Sequence, residues 1–184
     1  MNHSAILFYA IMAALFVGVC VLDAKGAPFQ SGKEYLSLRF LGFAPAVLFL
    51  GVLIFNRLSL GKVSSTFGIL YHLVIIWIIP RLMSPSWAKQ CGYGWLTLDV
   101  ACGIMSLCNV ADEIAFPIRL AGHVFCAVWL MSVCVFCKDK VLKYLGFFIA
   151  AWLGVYSFFG GVLPVSYLLF PGVLVIIWLV LMGF

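Results

Sequence analysis

An all-α, polytopic transmembrane helical bundle of about seven spans is the fold class that this 184-residue sequence predicts, on three observations. Hydrophobic residues make up 66% of the chain and charged residues 9%, far from the balance of a soluble domain. The apolar residues fall in runs long enough to cross a hydrocarbon core, which takes about 20 helical residues at ~1.5 Å each. The runs are continuous, whereas a transmembrane barrel would need short alternating segments.

The runs cover residues 5–22, 36–55, 66–83, 93–111, 116–137, 141–159 and 162–183. The first reads as an uncleaved helix. MNHSAILFYA has no Lys or Arg ahead of its apolar stretch, and LFVGVCVLDAK offers no clear small-x-small cleavage site. Pro45 lies inside the second run and Pro80 near the end of the third, where each can kink or bound a helix. The fourth and fifth form a tight hairpin about the segment 112–116. Gly146, Ala150 and Gly154 give the sixth a small-xxx-small stripe for close helix approach. Pro164 and Pro171 loosen the first half of the seventh. The connections are short, so a single integral membrane domain over residues 1–184 is expected.

Orientation follows from the Lys and Arg residues, because positively charged short loops stay on the cytoplasmic side. Seven spans put Lys25, Lys33, Arg39, Arg81, Lys89, Lys138, Lys140 and Lys143 on one face, and only Arg57, Lys62 and Arg119 on the other. The N-terminus is therefore expected outside and the C-terminus in the cytoplasm. The formal charge of +5 is then accounted for by loops facing anionic lipid head groups, and no nucleic-acid partner is expected. Composition fits a multi-pass protein of a bacterial inner membrane or of a eukaryotic endomembrane or plasma membrane.

Polar residues concentrate in WLTLDVACGIMSLCNVADEIAFPIRLAGH, residues 95–123. Asp99, Cys102, Ser106, Asn109 and Glu113 recur at helical spacing, which sets them on one stripe. Arg119, His123 and Cys126 do the same on the next helix. His72 lies six residues past Thr66 and His123 seven past Phe116, about 9 and 10 Å into their spans, so the two histidines share a depth. Ionisable groups at membrane depth usually mark a pathway or a site. The expected site is a polar cavity near the extracytoplasmic side, bounded by His72, Arg119 and His123, with Tyr71, Asn109, Asp112 and Glu113 around it. Asp99 is set apart, six residues from the cytoplasmic end of its span, where Arg39 or Arg81 would satisfy it as an ion-pair or proton-carrying partner.

The pair CVFC, Cys134 and Cys137, resembles the CxxC of membrane thiol oxidoreductases. Those enzymes need the pair on the oxidising face and a second exposed pair. Here CVFC adjoins KDK on the expected cytoplasmic face and no second CxxC occurs, so close packing by reduced cysteines is expected. In outline the chain resembles the seven-span retinal proteins, but its last span has no Lys for a Schiff base. No nucleotide loop, HExxH or GxSxG occurs, so the common hydrolase motifs are missing and no enzymatic activity is assigned. No metal site is expected.

Three functions compete. In the first, a small-molecule or ion binding or transport protein, Arg119 attracts a small anionic ligand and the histidines couple binding to protonation. In the second, a membrane scaffold or assembly protein, the polar groups only hold the bundle together and there is no cavity. In the third, a redox subunit, His72 and His123 ligate haem b from opposite faces.

Overall fold

The computed structural model describes the backbone of residues 35–164 and 166–182, and the side chains of residues 43–164 and 167–182. The run 5–22 and the side chain of Arg39 lie outside the described residues. Those described form six α-helices and no strand: α1 (Tyr35–Arg57), α2 (Gly61–Ile75), α3 (Ser86–Leu107), α4 (Asp112–Phe136), α5 (Lys140–Phe159) and α6 (Ser166–Met182), with a 3₁₀ turn at Ile79–Arg81. Three segments are long and apolar enough to cross a membrane, namely Gly61–Arg81, Asp112–Phe136 and Lys140–Phe159. Phe43–Arg57 and Tyr167–Met182 are shorter apolar helices.

Each helix packs against the next in sequence, and α6 returns against α1, so the six close a ring. The turns that make this possible are tight and have identifiable causes. After α1, Leu60 N–H bonds to the Phe55 carbonyl (2.9 Å) and Ser59 N–H to that of Asn56 (3.1 Å), with Ser59 in the left-handed region at φ 60°. After α3 the pattern repeats. Val110 N–H reaches Met105 (2.9 Å) and Asn109 N–H reaches Ser106 (3.1 Å), with Asn109 at φ 57°. These are Schellman closures, which satisfy carbonyls that a helix end leaves without partners. α5 starts on an N-cap, the Asp139 carboxylate accepting from Leu142 N–H at 2.9 Å.

The third and fourth runs differ most from the sequence reading. The run 66–83 is not one helix: its α-helix stops at Ile75, and the chain turns through a 3₁₀ segment at Pro80, whose ring cannot continue the α-helical hydrogen bonding. The run 93–111 begins seven residues earlier, at Ser86 directly after Pro85. Polar Lys89 and Gln90 lie in that first turn and hid it from a hydropathy reading.

The ring is packed shut toward the connections that follow Ile75 and Phe136. Trp129 and Trp178 are completely buried there with Ile75, Ile79 and Ile149, and Trp129 stacks on Trp95 with centroids 5.8 Å apart. Basic residues at this end bond to backbone carbonyls. Lys89 Nζ donates to Pro80 at 2.8 Å, Lys143 Nζ to Val135 at 3.4 Å, and Arg81 to Trp77, which places cations where helix ends carry partial negative charge. Cys134 and Cys137 are both buried at this end, and the two form no disulfide.

Candidate functional site

The other half of the ring holds a cavity of about 470 Å³ to which all six described helices contribute. Its walls are largely apolar: Phe49 from α1, Trp95 from α3, Leu153 from α5, and Leu168 and Val175 from α6. Asn56, Ser64 and Ser65 add polar groups near the end of the ring where α1 closes and α2 starts. Gly68 leaves space open, since a Cβ there would meet only Val52 Cγ2 at 3.9 Å, whereas Gly103 is packed closely by Ile69.

On one wall stands Asp99. It is the fourteenth residue of α3, past the middle of that helix, and its side chain is only 2% exposed. An isolated carboxylate in such a place would carry a prohibitive desolvation cost, so partners are obligatory. Two neighbouring helices supply them. From α2, His72 Nε2 lies 3.4 Å from Oδ2; from α4, His123 Nε2 lies 3.5 Å from the same oxygen, and Arg119 Nε lies 3.4 Å from Oδ1. Arg119 and His123 are four residues apart, on one face of α4. Gly122 lets α4 come this close. A Cβ on it would stand 3.2 Å from Leu98 Cβ and 3.8 Å from Asp99 Oδ2.

The cluster's hydrogen bonding is incomplete. His72 Nδ1 is 2.7 Å from the Gly68 carbonyl, and its ring is held edge-on by Tyr71 and Trp95 at 4.7 and 5.5 Å between centroids. Asp99 Oδ2 and His123 Nδ1 are buried without a hydrogen-bond partner. Arg119 differs from the rest: its side chain is 40% exposed, so it reaches from solvent to the buried carboxylate.

His72, Arg119, His123 and Tyr71 thus line one cavity. Three residues expected beside them do not. Asn109 is exposed and closes α3 in the left-handed turn, a conformation that Asn tolerates better than most residues. Asp112 and Glu113 are exposed in the first turn of α4, where their charge complements the helix N-terminus. The pairing expected for Asp99 is also corrected. Arg81 lies at the packed end against Val133, Phe136 and Cys137, and Asp99 pairs with His72, Arg119 and His123. The displaced start of α3 is the reason. Counted from Ser86, Asp99 falls about 20 Å along its helix, not 9 Å. Pro85 after Ser84 is the signal that would have set this count.

Other members of the polar stripe hold helices together. Ser106 Oγ bonds to Ser65 Oγ at 2.9 Å across α3 and α2, and Cys102 Sγ donates to the Ala115 carbonyl at 3.2 Å. Among the described residues, no group of three or more His, Cys, Asp or Glu side chains has the arrangement that holds a metal ion. Comparison of the chain with protein families, with curated proteins and with solved structures finds no match.

Proposed function

We propose that this is a multi-spanning membrane protein that binds a small anionic solute in the cavity, with Arg119 as the anion's handle, and moves or presents it across the lipid bilayer. One observation carries the reading: a buried carboxylate with an unbonded oxygen, joined to a half-exposed guanidinium, on the wall of a cavity of about 470 Å³. That volume falls within the ~300–1,000 Å³ of ordinary small-ligand sites, which combine apolar walls with a few convergent polar groups. A scaffold that needed only interhelical bonding would not require the space. In the haem alternative, both Nε2 atoms would have to face iron; here both face Asp99.

Gly68→Phe tests the cavity. A Cβ at Gly68 would meet only Val52 Cγ2, at 3.9 Å, so the ring enters space without displacing the helix. Saturable binding of radiolabelled benzenesulfonate, measured by equilibrium dialysis, should fall at least about tenfold, a loss of ~1.4 kcal/mol, while the melting temperature holds or rises. Unchanged binding would place the solute elsewhere.

In the proposed topology of seven spans, with the N-terminus outside and the C-terminus cytoplasmic, the cavity occupies the outer half of the bundle. In a background free of other cysteines, Leu60→Cys should then react with a membrane-impermeant maleimide on intact cells and Asp139→Cys should not. The reverse pattern would invert the orientation.

A further inference from the structure

We propose that the His72–Asp99–His123 cluster is a proton-binding site, and that the anion enters the cavity together with one proton. The inference rests on the anion-binding reading of the same cavity, and adds a second, coupled ligand to it.

The argument starts from His72. A carbonyl oxygen only accepts, so the 2.7 Å contact from Nδ1 to Gly68 places that ring's proton on Nδ1. Neutral His72 then turns a bare Nε2 towards Asp99 Oδ2 at 3.4 Å, and two acceptors face each other. His123 cannot resolve this. Even with its proton on Nε2, it faces the same oxygen only from 3.5 Å, and its Nδ1 has no partner. The arrangement is short of one proton, which would bridge His72 and Asp99 whichever of them carries it.

Charge gives the coupling. With Asp99 ionised, Arg119 cationic and both histidines neutral, the cluster sums to zero. One added proton leaves a net +1 on a largely apolar wall, where charge is poorly screened. A monovalent anion on the guanidinium of Arg119 restores neutrality. Proton and anion therefore each favour the other, by the same factor in both directions. Among the described residues, the titratable groups facing Asp99 are Tyr71 and His72 from α2, Arg119, His123 and Cys126 from α4, and Cys102 on its own helix. Among the described side chains, the cavity residues of α1, α5 and α6 add none.

Benzenesulfonate is the probe, because its own charge does not titrate in the working range; benzenesulfonamide is the neutral control. For the full chain in nanodiscs, the association constant should rise about tenfold per unit fall in pH over the interval where the site takes its proton, then level off. Proton uptake, followed with a pH indicator in weak buffer, should approach one per anion bound and be absent with the sulfonamide. Asp99→Asn offers His72 Nε2 an amide N–H and leaves Arg119 uncompensated at every pH. It should bind the probe independently of pH, at the wild-type low-pH level. Saturable wild-type binding with neither pH slope nor proton uptake would overturn the coupling and leave the anion site standing. No saturable binding at any pH would overturn both. The proton-uptake measurement uses only wild-type protein, so the outcome does not depend on the variant folding.

Discussion

Arg119→Leu should weaken binding of benzenesulfonate by at least about 100-fold and lower stability only slightly. With Nε on Asp99, the guanidinium keeps two terminal amino groups, enough for a bidentate pair of charge-assisted hydrogen bonds to an oxyanion. Such bonds contribute ~1.5–3 kcal/mol each, and two of them correspond to roughly 10²–10⁴ in affinity. The stability effect is smaller because the Arg119 side chain is 40% exposed, so water can replace part of its interaction with Asp99. His72 and His123 also remain beside the carboxylate. About 1 kcal/mol is expected. Arg119→Lys retains the charge without the planar fork and should fall between wild type and Leu. Equilibrium dialysis and thermal unfolding of the same samples separate the two effects. Unchanged affinity together with a stability loss of several kcal/mol would make Arg119 a structural counter-ion, and the scaffold reading would take over.

At the packed end the largest expected effect is on stability. Gly146→Val should destabilise the protein by about 3 kcal/mol or more, at the upper end of what overpacking costs. A Cβ on Gly146 would lie 2.1 Å from Cys134 Sγ and 2.9 Å from Trp178 Nε1, distances no packed carbon tolerates. Cys134 has a short side chain that can rotate. Trp178 is fully buried and fixed by its 2.9 Å bond to the Leu142 carbonyl on the same helix as Gly146. The helices α5 and α6 must therefore separate. Removing the sulfur by Cys134→Ala should recover part of the loss seen in Gly146→Ala. Gly154→Ala should stay within about 0.5 kcal/mol of wild type, since its Cβ would meet only Ala127 Cβ, at an ordinary 3.9 Å. Denaturant unfolding in a fixed micelle measures all four. Equal costs at Gly146 and Gly154 would contradict the packing described.

These two glycines also mark where sequence stops being informative. In the chain, Gly146, Ala150 and Gly154 form one regular stripe, and spacing correctly makes the stripe a helix face. That one of its glycines is filled by a cysteine and a tryptophan, while the other has room, depends on what α4 and α6 bring to each level. No local pattern encodes that.

The sequence by itself determined the helical class and the positions of α1, α4, α5 and α6 to within a few residues, because the apolar runs are long and the period of a helix is fixed. It also set His72 and His123 at one level along neighbouring helices, with Arg119 about one turn away, because rise per residue converts position into height. Tertiary structure alone decided the centre of the site. Asp99 was legible as a buried acid, but its partners were not, since a seven-residue error at the start of one helix moves a side chain about 10 Å along the axis and changes every neighbour it can reach. Asn109 shows the converse. Its place in the helical stripe was correct arithmetic, but the helix ended at Leu107, and beyond a helix end backbone hydrogen bonding, not periodicity, fixes where a side chain goes. The cavity itself belongs wholly to the tertiary level, because empty space has no residue of its own. It arises where six helices close a ring and Gly68 of α2 leaves space beside it unfilled.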